Sequence, residues 1–142
     1  WKLAELKRRA KRAGAHNIET RFIEDNKVIK RLHEKADRLL IDAPCSGLGV
    51  LKRNPDSKWK IDQDFIDRIK NEQQQILQDY SKMLKKGGKM VYATCSILPS
   101  ENNEQVETFL KNNEGFTLLK EEKVMPSDGF DGFYMALIQR NA

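Results

Sequence analysis

A pair of cysteines is the feature of this sequence best suited to covalent chemistry. Cys45 follows a proline and precedes a serine and a glycine, whereas Cys95 follows a threonine and precedes a serine. A thiolate is a nucleophile and a metal ligand, and backbone N–H groups at the start of a helix lower the pKa of a thiol beside them. Because free cysteine is also among the most buried residue types, packing in the core is the alternative role for both. We hypothesise that at least one of them is a thiolate nucleophile.

Neither a stabilising disulfide nor a structural metal site explains the two cysteines well. One disulfide is too little to hold together a domain of 142 residues. Zinc would need further ligands, and His16 and His33, the two histidines of the chain, are badly spaced to supply them. We therefore expect no metal ion.

Strand and helix patterns place both cysteines at one edge of a sheet. The apolar run at residues 37–42 predicts a strand buried in a parallel sheet, and a proline and two glycines end it around Cys45. Residues 89–93 predict a second strand, which ends just before Cys95. Helical spacing predicts a long helix over residues 62–85 between them, stopped by the glycine pair that follows. Loops after such strands emerge at the same edge, where ligands bind, so we expect the two thiols to lie close together.

The remaining elements complete a single α/β domain. The pattern predicts helices at residues 1–13 and 101–112 and strands at residues 19–24, 116–119 and 133–139. Alternation of helices with strands of the buried type predicts a mostly parallel sheet with right-handed crossovers. No repeat, low-complexity segment or linker divides the chain.

The charge balance is compatible with a polyanionic partner without requiring one. There are 26 Lys and Arg against 21 Asp and Glu, which gives a net charge of +5. No apolar run approaches the roughly 20 residues of a membrane-spanning helix, and the N-terminus does not resemble a signal peptide. We therefore expect no membrane association and a cytoplasmic location.

Several motifs together resemble the RNA 5-methylcytosine methyltransferases of bacteria and eukaryotes. They are DAPCSGLGV at residues 42–50, RNPD at 53–56 with Lys58 and Trp59, Gln74 with Ile76 and Leu77, YATCSI at 92–97 with Glu101 and Asn102, and DGFYMA at 131–136. The resemblance runs from about Arg38 onward and is to the type that includes 16S rRNA 5-methylcytosine methyltransferases and the nucleolar proliferation antigen. A proline-cysteine pair and a threonine-cysteine pair, each after its own strand, form a specific signal, whereas either dipeptide alone would be weak.

The resemblance implies transfer of a methyl group to carbon 5 of cytosine in RNA, either rRNA or tRNA. Carbon 5 is too poor a nucleophile until a thiolate adds to carbon 6 of the ring. Cys95 is implied to form that bond and Cys45 to assist product release, whereas the residues alone leave the two thiols unranked. Asp42 is implied to hydrogen-bond the cytosine edge, and Pro44 to line the pocket. The alternative for Asp42 is a helix cap or a loop anchor.

The resemblance also implies a Rossmann-like S-adenosylmethionine-dependent methyltransferase fold, with a mostly parallel sheet and an antiparallel last strand. Residues 1–142 would form the C-terminal portion of a single catalytic domain, truncated at its N-terminal side, because the family's glycine-rich cofactor loop is not found in the sequence. Asp42 and Pro44 lie on the implied cofactor side, and Asp25, after the strand at 19–24, is the candidate near the adenine. We expect the chain alone to be inactive and to bind the cofactor weakly.

An RNA substrate requires cations for its phosphates and flat side chains for stacking around the pocket. Arg53, Lys58, Trp59 and Lys60 follow the Cys45 loop and suit that role, with an ordinary solvated loop as the alternative.

Two other functions stay open. One is a non-catalytic α/β RNA-binding module in which both cysteines are core. The other is a methyltransferase for an exocyclic nucleobase amine, which needs no nucleophile and typically has an aromatic residue after an Asn- or Asp-Pro-Pro turn.

Overall fold

The computed structural model describes residues 1–142 and contains four helices and four strands. In chain order these are α1 (Lys2–Arg12), α2 (Asn26–Arg31), β1 (Ala36–Asp42), α3 (Gln63–Tyr80), β2 (Leu84–Thr94), α4 (Asn103–Asn112), β3 (Phe116–Val124) and β4 (Phe133–Arg140). Short 3-10 turns join several of them. No helix of the chain has the length and apolar content needed to cross a membrane.

The strands form one sheet in the order β1-β2-β4-β3. β1 and β2 are parallel, and β4 is antiparallel to both of its neighbours, β2 and β3. Three strands therefore point the same way, and the last strand of the chain runs against them. This arrangement confirms the predicted α/β fold with an antiparallel last strand.

The register of β1 on β2 brings the ends of the two strands to the same level. Asp42 is the register partner of Ala93, and the N–H of Ala43 donates to the carbonyl of Ala93 at 2.9 Å. The loop that contains Cys45 and the loop that contains Cys95 therefore leave the sheet side by side. The functional edge predicted from the strand pattern is formed by these two loops.

Helix α3 crosses from the end of β1 to the start of β2, as the periodicity predicts. The carboxylate of Asp62 caps its first turn by accepting from the N–H of Phe65 at 2.8 Å. Its inner face buries Ile66, Ile69 and Leu77 against the sheet. The helical spacing thus identifies both the element and the face that packs.

The predicted C-terminus of that helix is wrong, because β2 begins earlier than expected. Helix α3 ends at Tyr80, and the glycine pair Gly87-Gly88 lies inside β2. The pairing of the two strands is irregular here, since Ala36 is opposite Leu84 but Arg38 is opposite Lys89. Gly87, with a φ of 74°, accommodates the extra residues of β2 in a bulge.

Two predictions about the other side of β1 are also wrong. Residues 19–24 form no strand, and Phe22 within them is 68% exposed. Strand β1 pairs with β2 alone, so it lies at the edge of the sheet, and Leu40 is 70% exposed instead of buried. The physical reason is shared, because a strand is stable only when a neighbour accepts and donates its backbone hydrogen bonds, and β1 has no neighbour on this side.

The core lies on the inner faces of the sheet beneath α3 and α4. Tyr92 of β2 and Tyr134 of β4 pack edge to face, with ring centroids 6.5 Å apart. Phe109 of α4 is fully buried against Phe116 of β3, at a centroid distance of 5.1 Å. The first contact joins β2 to β4, and the second holds α4 against β3.

Candidate active site

The two thiols meet at the edge formed by the ends of β1 and β2. The sulfur atoms of Cys45 and Cys95 are 3.2 Å apart, both residues are partly buried, and neither is in a disulfide. The expectation that the loops bring the two cysteines together is confirmed. No cluster of three or more histidine, cysteine or carboxylate side chains is arranged to hold a metal ion.

The protonation of Cys45 is set by its surroundings. Burial, followed by the hydrogen bond with Cys95, raises the pKa of Cys45 to about 12. A hydrogen bond from the backbone of Gly47 acts in the opposite direction but is outweighed. The predicted lowering of the pKa by backbone N–H groups is therefore present at Cys45, but burial outweighs it. Cys45 keeps its proton at neutral pH and can donate it in the hydrogen bond to the sulfur of Cys95.

Alkylation with iodoacetamide should therefore distinguish the two cysteines. At pH 8, well below a pKa of about 12, Cys45 is almost entirely a thiol, so we expect Cys95 to be labelled much faster than Cys45. In Cys95→Ser the neighbouring sulfur is gone while burial remains, so labelling of Cys45 should begin at a lower pH than in the parent. Peptide mapping by mass spectrometry measures both rates. Equal labelling of the two cysteines at pH 8 in the parent would contradict this assignment.

A buried carboxylate links the two loops one residue beyond the cysteines. Glu101 is fully buried and accepts from the N–H of Ser46 at 2.8 Å and from the hydroxyl of Ser46 at 2.5 Å. The hydroxyl of Ser96 donates to the same carboxylate oxygen as the Ser46 hydroxyl. Gln73 donates to the other oxygen at 3.1 Å. Glu101 thus bonds to residues from both cysteine loops and from helix α3.

Further hydrogen bonds hold the second loop to the turn before α4. The hydroxyl of Thr94 donates to the side-chain carbonyl of Asn102 at 2.5 Å, and the side-chain amide of Asn102 donates to the carbonyl of Ser96 at 2.9 Å. The hydroxyl of Tyr92 donates to the backbone carbonyl of Glu101 at 2.8 Å. Since Asn102 is also fully buried, these bonds are shielded from water and fix the backbone around Cys95.

A close approach of two glycines joins the same loops to the turn before β4. The N–H of Gly49 donates to the carbonyl of Cys95 at 2.9 Å, and the N–H of Gly132 donates to the carbonyl of Gly49 at 2.7 Å. A Cβ atom on Gly49 would lie 2.2 Å from the carbonyl oxygen of Gly132. The backbones can therefore come this close only without side chains.

Sequence analysis quoted Glu101 and the two glycines only as members of the family motifs, without a role at the site, and did not name Gln73. A serine after each cysteine is a further local signal, because two hydroxyls at one sheet edge need a shared acceptor. The acceptor itself is 55 residues from Ser46 in the chain, and its burial depends on the whole fold.

The other predicted site residues fall into two groups. Asp42 and Pro44 lie exposed at the end of β1, beside the cysteine loop, and the carboxylate of Asp42 forms no hydrogen bond or ion pair within the chain. Its alternative role as a cap or anchor therefore has no support. Asp25 caps α2 by accepting from the N–H of Lys27 at 2.9 Å and lines a groove against the C-terminal part of α3. The structure does not bring Asp25 to the thiols.

The predicted RNA-binding residues lie on the exposed loop after Cys45. Trp59 is 80% exposed, and the ammonium of Lys58 lies 4.8 Å from the centre of its ring. Arg53 forms an ion pair of 2.8 Å with Asp131, which partly neutralises it, whereas Lys60 is exposed. An ordinary solvated loop stays the alternative for all four residues, because a single exposed aromatic side chain is common on protein surfaces.

The fold is that of the Rossmann-like methyltransferases, as comparison with solved structures shows. NSun6 from Pyrococcus horikoshii with SFG aligns with a TM-score of 0.84 at 25% identity, over 99% of this chain and 39% of that chain. A methyltransferase homologue protein from the same organism aligns with a TM-score of 0.80 at 25% identity, over 99% of this chain and 50% of that chain.

The chain belongs to the 16S rRNA methyltransferase RsmB/F family, whose model matches residues 1–139. Ribosomal RNA small subunit methyltransferase B of Yersinia enterocolitica is 44% identical over an alignment of 117 residues that covers 75% of this chain and 27% of the relative. The same-named protein of Erwinia tasmaniensis is 46% identical over an alignment of 108 residues that covers 70% of this chain and 25% of the relative. The chain thus spans about a quarter of the length of the curated relatives it matches.

Proposed function

We propose that this chain supplies the thiol site of an enzyme that transfers a methyl group from S-adenosylmethionine to carbon 5 of cytosine in rRNA. The observation that carries the proposal is the contact of 3.2 Å between two free thiols at the carboxyl ends of adjacent parallel strands. Because Cys45 is held as a thiol, the two sulfurs can perform different tasks. In bacteria, the group to which the relatives belong, such an enzyme would act in the cytoplasm.

The residues act in the following order. The thiolate of Cys95 adds to carbon 6 of cytosine, and the electron pair of the ring double bond becomes available at carbon 5. Asp42, exposed at the end of β1, hydrogen-bonds the base edge and favours proton uptake by the ring nitrogen. After methylation a base removes the carbon 5 proton, the bond from sulfur to carbon 6 breaks, and Cys95 leaves as a thiolate. The proton of Cys45 stabilises that departing thiolate across the sulfur contact.

Asp42 and Pro44, at the end of the edge strand β1, are residues that would hold the cofactor. S-adenosylmethionine, when bound, supplies the methyl group as an electrophile. Asp42 and Pro44 fit a role beside it, because both are exposed at the end of an edge strand and the Asp42 carboxylate is uncommitted. Asp25, the third candidate, caps α2 with one carboxylate oxygen, and we propose it for the adenine side of the cofactor. We further propose that residues 1–142 form the C-terminal portion of one catalytic domain and that transfer requires the rest of it.

Covalent trapping with an RNA that contains 5-fluorocytosine tests this function in the methyltransferase that carries the chain. Fluorine cannot leave carbon 5 as a proton does, so the cysteine adduct should persist through denaturing electrophoresis. Methylation without a trapped complex would favour an exocyclic-amine methyltransferase, and neither methylation nor trapping would favour a non-catalytic RNA-binding module. Either result would overturn the proposal.

Trp59 provides a prediction for RNA binding. Stacking of a base on an aromatic ring contributes about 1–3 kcal/mol, so we expect Trp59→Ala to weaken RNA binding about tenfold. Trp1→Ala is the matched control, because Trp1 is also exposed, at 92%, but precedes α1. Fluorescence anisotropy with labelled RNA measures both. Equal losses in the two variants would indicate nonspecific contacts, not a stacking site.

A further inference from the structure

The Glu101 carboxylate is buried without a cation and is satisfied by neutral donors alone. It takes part in no salt bridge, and its four hydrogen bonds come from one backbone N–H, two hydroxyls and one amide. A buried carboxylate is costly unless it is well hydrogen-bonded, and a carboxylate is an acceptor at both oxygens. The Glu101 carboxylate can therefore hold several hydrogen-bond donors together in the interior.

The two cysteine loops meet this carboxylate in the same way. The Ser46 hydroxyl, besides donating to Glu101, accepts from the N–H of Leu48 at 3.4 Å, and the Ser96 hydroxyl accepts from the N–H of Leu98 at 3.1 Å. The two hydroxyls are 3.3 Å apart. Each serine directly follows a cysteine, so a fixed serine restricts the backbone that carries the neighbouring sulfur. Holding the two serines close together therefore also holds the two neighbouring thiols close together.

Gln73 donates two hydrogen bonds in this region, and in that orientation its own side-chain oxygen has no partner. The two hydrogen bonds of its amide nitrogen go to the carbonyl of Pro44 at 2.9 Å and to Glu101, and both partners are acceptors, so the amide cannot be reversed. Its own oxygen is buried without a partner. An unsatisfied buried acceptor costs about 1–3 kcal/mol. The donors of Gln73 are retained nonetheless, and they link the first cysteine loop to Glu101.

We propose that Glu101 is a positioning residue that holds Cys45 and Cys95 in contact and so sets how the two thiols react with one another. Glu101 bonds to neither sulfur and acts through Ser46 and Ser96. The consequence for methyl transfer rests on the proposed function. The reaction of the two thiols with one another does not rest on that function, because it requires neither RNA nor cofactor.

Thiol exchange with an aromatic disulfide such as dithiobis-nitrobenzoate measures the coupling directly. One protein thiolate attacks the reagent, forms a mixed disulfide and releases one thionitrobenzoate. The second thiol then loses its proton to solvent, attacks the protein sulfur of the mixed disulfide, closes a Cys45–Cys95 disulfide and releases a second thionitrobenzoate. The rate of the first release depends on how accessible the thiols are to the reagent, whereas the rate of the second depends on the distance between the two sulfurs. These two cysteines are the only ones in the sequence.

In Glu101→Gln we expect the second release to slow by about tenfold to a hundredfold while the first changes little, because small misplacements of reacting groups have effects of that size. Glu101→Asp keeps the acid but shortens its reach, so an intermediate loss is expected. Glu104→Gln is the matched control, since Glu104 is exposed on α4 and should exchange like the parent. Thermal melting establishes that each variant is folded.

A folded Glu101→Gln with an unchanged second release would overturn the proposal. If that variant does not fold, Ser46→Ala and Ser96→Ala each remove one hydroxyl donor and should each slow the second release. Parent-like exchange in both would also overturn it. In the methyltransferase, kcat should fall in Glu101→Asp with little change in KM for RNA. Loss of 5-fluorocytosine trapping in the parent, with coupled exchange intact, would refute the proposed function alone.

Discussion

Cys95→Ala is expected to abolish both methyl transfer and the covalent complex with 5-fluorocytosine RNA. Removal of a catalytic nucleophile lowers the rate by at least about a thousandfold, and in the proposed mechanism carbon 5 becomes reactive only through the Cys95 adduct. Cys45 does not substitute, because its burial, the largest cause of its raised pKa, remains after Cys95 is removed. Initial rates with tritiated cofactor and denaturing electrophoresis of the trapping reaction measure the two losses.

Cys45→Ala is the informative companion to that variant. It leaves Cys95, the proposed nucleophile, in place and removes the neighbouring proton, so formation of the adduct should continue while its breakdown slows. We expect a covalent complex to accumulate even with ordinary cytosine. Trapping that survives Cys95→Ala but disappears in Cys45→Ala would show that the two roles are reversed. Both variants should bind RNA like the parent, which anisotropy can verify.

Gly49→Ala is expected to lower the free energy of unfolding by about 3 kcal/mol, because added atoms in a packed region force the backbone to move. The new Cβ would lie 2.2 Å from the carbonyl oxygen of Gly132 and 2.7 Å from that of Cys95. These obstacles are backbone atoms, so no side-chain rotation relieves them. The Cys95 loop must shift, and methyl transfer should fall about a hundredfold. Urea unfolding and initial rates measure the two effects.

Gly115→Ala is the matched control for that substitution. A Cβ on Gly115 would meet nothing within 4 Å, and its φ does not lie in the positive range. We expect its stability to stay within about 0.5 kcal/mol of the parent and its activity to be unchanged. A Gly49→Ala variant as stable and active as Gly115→Ala would show that the loops tolerate separation, contrary to the role given to their close approach.

Local patterns predicted the elements with the clearest apolar spacing. Helix α3 and strand β2 were identifiable because apolar spacing reports which side of an element faces the core. The same reasoning failed for residues 19–24 and for the burial of Leu40, because apolar content alone does not supply a pairing strand. It also failed at Gly87, because a glycine with a positive φ is typical both of a strand bulge and of the end of a helix.

The sequence by itself determined the two thiols, the strands they follow, and the motifs that place the chain in its family. These are local features, carried by residue type and short spacing. Only the tertiary structure decided that the sulfurs touch, that Cys45 keeps its proton, and that Glu101 joins the serines of both loops. The reason is physical: burial and hydrogen bonding between groups 50 or 55 residues apart arise when the whole chain packs.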